Sequence, residues 1–312
     1  MTANLSEHHI RLEKTTVTYR KVSGHEILAD VYRPKGNNVR PVIVYIHGGA
    51  LVTGNRGLTT ENHVLARVLS LAEESQFALI SIDYRLAPET KLPVIASDIE
   101  AAFAWLEAEG AKRFHLDAER IVVVGDSAGG YLALTTGYRV QPKPRALVAL
   151  YGYGELTADW YTQPNPYPNY NLEQITEEEA KEQTDGTVIS DAHLRKGNGG
   201  KIYMYYRQTG LWPQEVSGFR PEALREHIAP YEPVKNVTSS YPPTLLIHGT
   251  HDTDVPFEES EKMADQFKKH DVFHFLIPIE KGEHCFDGGN PAQVEDAYKS
   301  MREFVLKYLE AN

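Results

Sequence analysis

Three side chains able to activate a hydroxyl together occur far apart in this 312-residue chain: Ser127, Asp252 and His284. A serine hydroxyl is a weak nucleophile near neutral pH. It needs a base to take its proton, an acid to orient that base, and donors for the oxyanion that forms on an attacked carbonyl. Ser127 stands in Gly125-Asp126-Ser127-Ala128-Gly129, straight after the apolar run Ile121–Val124 and ahead of a segment of helical character. The spacing predicts a sharp strand-to-helix turn with Ser127 at its apex, and the glycines on either side leave the room such a turn requires. Gly-x-Ser-x-Gly alone is a common pattern, so its partners decide its meaning.

The partners follow in the chain order serine, acid, histidine. Thr244–Ile247 reads as a strand and leads into His248-Gly249-Thr250-His251-Asp252. Phe273–Ile279 reads as another and leads to His284. Residues beyond strand ends on one edge of a parallel sheet are brought together by topology, which puts Asp252 and His284 beside Ser127. Asp254 competes for the acid role. Asp252 is preferred because it lies nearer the strand end, with Asp254 expected to point outward as a solvated loop carboxylate. His248 and His251 have a spacing that binds zinc on a helix, but at a strand end it does not converge two imidazoles, so no metal is expected.

Oxyanion donors must be peptide N–H groups free of bulky neighbours. His47-Gly48-Gly49-Ala50, after the apolar run Pro41–Ile46, offers the amides of Gly48, Gly49 and Ala50, and Ala128 after the nucleophile adds another. His47 is read as a residue that shapes this loop, Asp83 and Arg85 as fold support through ion pairing, and Cys285 as a small buried filler.

The elements that must position these groups alternate along the chain. Thr15–Arg33 alternates as an edge hairpin, and Pro41–Ile46, Phe77–Ile82, Ile121–Val124 and Arg145–Leu150 are apolar runs typical of strands buried on both faces. Between them lie helical patterns at about 58–75 and 97–109. The pattern implies an α/β fold whose mostly parallel central sheet is covered by helices on both faces. From Tyr151 to Ser240 strand signals fade and Tyr, Trp, Pro and Asn accumulate. A stretch of about ninety residues is too long for a plain loop and is read as an inserted, mainly helical cap. The expected division is therefore 1–150 with 241–312 as the core and 151–240 as the cap, with helices near 258–269 and 292–309 closing the core.

Composition narrows the partners. A formal charge of −11 lacks the basic footprint needed for nucleic acid or an anionic membrane surface, and 41% hydrophobic with 24% charged residues is ordinary for a globular protein. No stretch has the ~20 apolar residues of a membrane span. The single cysteine excludes an internal disulfide, and the polar start, 1–20, has no signal-like apolar core, so a cytoplasmic location is expected. The sequons at Asn4 and Asn236 would then be unused.

In this order and at these intervals, His47-Gly48-Gly49-Ala50, Asp83-Tyr84-Arg85-Leu86-Ala87-Pro88-Glu89 and Gly125–Gly130 resemble the hormone-sensitive-lipase-like branch of the α/β-hydrolases. The resemblance implies hydrolysis of a small-molecule carboxylic ester through an acyl-enzyme, without metal or cofactor, with Ser127, Asp252 and His284 as the triad. Members of that family often dimerise, which leaves a homodimer open. They usually read His-Gly-Gly-Gly, so the methyl of Ala50 narrows the acyl side, and the acid turn here looks more like that of prolyl oligopeptidases and dienelactone hydrolases. That turn keeps a peptidase, amide hydrolase or lactonase as an alternative. A catalytically silent binding protein is a third reading, but such proteins generally lose a triad member and this chain has all three. The aromatic, polar composition of the cap suggests a substrate with rings or hydroxyls more than a long lipid chain.

Overall fold

The computed structural model describes residues 12–58 and 63–310. The Asn4 sequon, much of the polar start and the first turn anticipated for the helix from Leu58 lie outside those residues. Strand β1 (Glu13–Val22) turns through Ser23-Gly24 into β2 (His25–Arg33), followed by β3 (Arg40–Ile46), α1 (His63–Ser75), β4 (Ala78–Ile82) and α2 (Leu92–Trp105). A single wide turn, Leu106–Gly110, carries α2 into the short α3 (Ala111–Phe114). Then come β5 (Leu116–Asp126), α4 (Ala128–Arg139) and β6 (Ala146–Leu150). After the insertion the chain resumes with β7 (Thr244–Gly249), a helix at Glu258–Lys269, β8 (His274–Ile279) and a closing helix at Pro291–Glu310. Helix α2 starts five residues before the periodicity suggests, because Pro93 in its first turn has no N–H to lose and a backbone already set for a helix.

The strands form one eight-stranded sheet in the order β1-β2-β4-β3-β5-β6-β7-β8. The hairpin pairs antiparallel and joins β4 antiparallel, while β4 through β8 run parallel. Side chains alternate across the pleat, so a strand sandwiched between two helical layers must be apolar at every position. In β3, Val42, Val44 and Ile46 enter one cluster, with Ile95 and Phe103 of α2 and Leu132 of α4. Ile43 and Tyr45 point the other way, against Val68 of α1 and Met301 and Val305 of the closing helix.

Between β6 and β7 the chain forms α5 (Asp159–Thr162), α6 (Glu177–Lys181), α7 (Gly200–Thr209), α8 (Trp212–Ser217), α9 (Pro221–Ile228) and α10 (Pro233–Asn236), and no strand among the described residues. In chain order the two later core helices are thus α11 (Glu258–Lys269) and α12 (Pro291–Glu310). The insertion is held by aromatic stacking: Tyr161 lies 3.8 Å from Trp160 and 3.9 Å from Trp212, centroid to centroid. The fully buried Arg207 places its guanidinium over Trp160 and Tyr161. Most aromatic residues of the insertion therefore pack it onto the core.

Asp83 and Arg85 support the fold as expected, but through separate partners. Asp83 takes the guanidinium of Arg56 at 2.5 Å. Arg85 makes a two-pronged pair with Asp98 of α2, at 2.8 Å on each oxygen, and Arg20 of β1 joins the same carboxylate at 2.7 Å. Asp98 is fully buried, so removing it strands Arg85 without a counter-charge. Asp98→Ala is expected to lower stability by about 3–5 kcal/mol, read as a shift in the urea unfolding midpoint.

Candidate active site

Four loops meet at the carboxyl edge of the parallel strands. Ser127 lies between β5 and α4 with φ 53° and ψ −122°, a strained conformation for a residue with a side chain. Its N–H donates to Leu150 O at 2.9 Å, and its carbonyl accepts the first helical bond from Tyr131 N–H. The flanking glycines are obligatory: a Cβ on Gly125 would overlap the carbonyl oxygen of Gly129, and one on Gly129 would overlap that of Ile46.

The loops after β7 and β8 bring the other two side chains to it. His284 Nε2 is 3.0 Å from Ser127 Oγ, and His284 Nδ1 is 2.7 Å from Asp252 Oδ2. Asp252 Oδ1 accepts the amides of Asp254 and Val255, both at 2.9 Å. His248, at the end of β7, brings its Nε2 within 3.2 Å of Asp252 Oδ2 and 2.9 Å of Val255 O. A carbonyl can only accept, so Nε2 carries the proton and the Ser260 hydroxyl serves Nδ1 at 2.7 Å. His248 is thus a brace for the acid, with its ring nitrogens committed, and His251 lies exposed on the loop beyond; the two do not converge. Tyr151 packs edge-on against the His284 ring at 4.8 Å and steadies its plane.

Electrostatics follow from this geometry. Burial pushes the Asp252 carboxyl up, but the charge of His284 and the hydrogen bonds from His248 and His284 outweigh it and hold the group well below the usual carboxylate range. Burial likewise pushes His284 down, and Asp252, with smaller contributions from Asp254 and Asp126, overcomes it and raises the imidazole to about 9. Asp126 is lifted to about 6 by burial, against the 2.5 Å hydrogen bond from Tyr45 and the charge of His284.

The loop after β3 lies against the serine turn: a Cβ on Gly48 would sit 2.8 Å from Asp126 Oδ2 and 3.2 Å from Ser127 Cβ. Gly48, Gly49 and Ala50 border the same cavity as Ser127 and His284, and Ala128 is fully buried as the first residue of α4. The amides of these four residues have no backbone acceptor among the described residues. His47 shapes this loop as expected. It is stacked on Tyr84 at 4.3 Å, donates Nδ1–H to Gly48 O at 2.8 Å, and is pushed by burial down to about 4.

The cavity measures about 430 Å³, and the insertion contributes His193, Asn198 and Tyr203 to its wall. Among the insertion's aromatics only Tyr151 and Tyr203 line it. Asp254 does not point outward. It is buried in the cavity wall, accepts the Tyr203 hydroxyl on Oδ1, lies 3.4 Å from Arg207 Nε, and brings Oδ2 to 3.9 Å from His284 Nε2. Its neighbours come from the insertion, so its orientation had no local sequence signal. Cys285 is no buried filler either: the residue is exposed at the cavity edge, while desolvation by its packed surroundings and the charge of Asp126 push its thiol up to about 12. An un-ionised thiol of that kind is a poor nucleophile.

A mostly parallel sheet with a serine turn at the end of its fifth strand defines the α/β-hydrolase class, and residues 43–288 match the family model for the alpha/beta hydrolase fold. The chain belongs to that family, in its fold-3, hormone-sensitive-lipase-like branch. Among solved structures, a protein of unknown function from Staphylococcus aureus superposes with a TM-score of 0.73 at 24% identity, covering 95% of this chain and 99% of its own. Carboxyl esterase 2 of the mycorrhizal fungus Tuber melanosporum gives 0.65 at 19%, with 97% and 89% covered. Esterase 2 of Thermogutta terrifontis, phosphoramylated by tabun, gives 0.63 at 19%, with 99% and 100% covered. Among curated proteins, the non-reducing polyketide synthase ausA of Aspergillus calidoustus is 27% identical over 93% of this chain, and Preu6 of Preussia isomera 29% over 87%. The chain spans only 14% of the length of each of these synthases. No helix among the described residues is long and apolar enough to cross a membrane.

The His284 imidazole is expected to titrate well above the ordinary value of about 6.5 when followed by NMR, and Asp254→Asn to move it down, because one of the carboxylates favouring the cation is gone. Since its folded-state value exceeds the unfolded one, protonated His284 favours the fold below about pH 6.5 and that contribution disappears as pH rises toward 9.

Proposed function

We propose that this protein is a serine carboxylesterase acting on small to medium esters. The observation that carries the reading is the unbroken series Ser127 Oγ, His284 and Asp252, at 3.0 and 2.7 Å, whose first two members line the cavity. Neutral His284 takes the Ser127 proton as Oγ attacks the ester carbonyl. Asp252 holds the tautomer with the proton on Nδ1 and stabilises the imidazolium that forms. The amides of Gly48, Gly49, Ala50 and Ala128 are the donors available to the oxyanion. Imidazolium then protonates the leaving alcohol, and water, activated by the same imidazole, releases the acid from the acyl-serine. Because the base must be neutral and Asp252 favours its cation, hydrolysis should strengthen toward alkaline pH.

The location inferred is cytoplasmic, in keeping with a single free thiol. Asn198, His193 and Tyr203 on the cavity wall offer hydrogen-bond partners to a substrate with hydroxyl or other polar groups. Similarity to a segment of polyketide synthases adds esters of polyketide products to the substrates worth assaying.

Purified protein is expected to hydrolyse short p-nitrophenyl esters and to be labelled stoichiometrically at Ser127 by a fluorophosphonate. Ser127→Ala should lower kcat on the order of 10⁶-fold, as for residues that act as a unit. Asp252→Asn should lower it roughly 10⁴-fold through the wrong tautomer. Wild-type turnover in Ser127→Ala would sink the proposal, and faster turnover of aminoacyl anilides or lactones than of any ester would replace it with the amidase or lactonase reading.

A further inference from the structure

In the loop His47 to Gly54 nearly every carbonyl has a donor, while the amides of Gly48, Gly49 and Ala50 have no backbone acceptor among the described residues. Across a trans peptide, the carbonyl of one residue and the N–H of the next point in opposite directions, so whatever holds a carbonyl also aims the following amide. The Tyr84 hydroxyl donates to His47 O at 2.9 Å and to Gly48 O at 3.3 Å, and the amides of Val52 and Thr53 donate to Gly49 O at 2.9 and 2.8 Å. Beyond that point the donors come from more distant chain. Trp212 Nε1–H donates to Ala50 O at 2.8 Å, Ala87 N–H to Leu51 O at 2.8 Å, Arg195 to Val52 O at 2.6 Å, and Ala192 N–H to Gly54 O at 3.1 Å. Trp212, Arg195 and Ala192 all belong to the insertion.

We infer that Trp212, assisted by Arg195, is a positioning residue for the oxyanion donors, acting from the insertion on the peptide that follows Ala50. Two features make the clamp necessary and possible. Ala50 and Leu51 are consecutive residues with φ of 53° and 62°, a left-handed pair that side chains disfavour and that relaxes unless it is held. The indole that holds it has no freedom of its own: Trp212 is fully buried, stacked on Tyr161 with 2° between the rings and met edge-on by Tyr153. Arg195 is likewise fixed, by the buried carboxylate of Glu89. The insertion is then part of the catalytic framework as well as a cover over the substrate, and losing the indole N–H lets the Ala50–Leu51 peptide rotate and loosens the adjoining amides.

This inference rests on the hydrolytic reading of Ser127 for its kinetic consequence, but not for its structural one. In Trp212→Phe, which keeps an aromatic ring and removes the donor, kcat on a short p-nitrophenyl ester should fall roughly ten- to a hundredfold with KM within about threefold, less than the 10²–10³ of deleting a donor outright. Amide hydrogen exchange in peptides covering residues 47–54 should quicken by roughly tenfold or more in the same variant, as local opening becomes easier. In the wild type the Trp212 indole N–H should be protected from exchange by NMR. If Trp212→Phe does not fold, Arg195→Gln is read by the same measures. Wild-type kcat in a folded variant, unchanged exchange across the loop, or a freely exchanging wild-type indole would each overturn the clamp. Absence of wild-type esterase turnover would instead count against the proposed function, and the exchange measurements would still decide the clamp.

Discussion

The site depends on one buried carboxylate. Asp252 has left water almost entirely, and a bare ion in that position would be neutralised by protonation. It stays ionised because two backbone amides and two imidazoles converge on it. Each of those donors is a structural commitment made elsewhere. The amides require the tight turn after β7, and His248 requires Ser260 of α11 and the carbonyl of Val255 to fix its tautomer. His284 requires the loop after β8, with Tyr151 against its ring. Shift any of these and the charge that orients His284 weakens with it.

A second constraint comes from the cavity side. Asp254 adds a carboxylate 3.9 Å from the other ring nitrogen of the same imidazole, and also lies close to Arg207, whose guanidinium stacks over Trp160 and Tyr161. The insertion therefore touches the candidate chemistry at two places: electrostatically through Arg207, Tyr203 and Asp254, and mechanically through Trp212 and the carbonyl of Ala50. Its aromatic richness is explained by this. The stack of Trp160, Tyr161 and Trp212 is a rigid mount from which polar groups reach the core.

What the sequence made legible was whatever has a local cause. Continuous apolar runs identify β3, β5, β6 and β7 because those strands are covered on both faces, and the glycines around Ser127 identify the turn because a Cβ there would meet backbone. Asp252 and His284 could be placed since strand ends on one edge converge whatever the loops do. The helix α2 was offset because its start is decided by Pro93 and not by periodicity. Asp254 and Cys285 were misjudged because their environments are assembled from segments far away in the chain, whereas His248, read only as a metal-ligand candidate, is held by Asp252, Val255 and Ser260 within the next twelve residues. Only the pairing of His248 with Asp252 four residues later, at the end of a buried strand, offered a clue. Trp212 offered none: an indole in an aromatic-rich insertion looks the same whether it packs, binds a ring or holds a carbonyl.

The replacement of the family's usual third glycine by Ala50 fits the same logic. Glycine reaches a φ of 53° without penalty, so a loop built of glycines can adopt this shape with little outside help. With a methyl at residue 50, and Leu51 also left-handed, the unaided loop would favour other conformations, and the native one must be enforced by partners. The carbonyls of Ala50, Leu51 and Val52 each have one, and two of those partners are side chains of the insertion. What the loop lost in intrinsic freedom to adopt its shape, tertiary contacts supply, and this ties the loop's backbone geometry to the insertion more tightly than a run of glycines would.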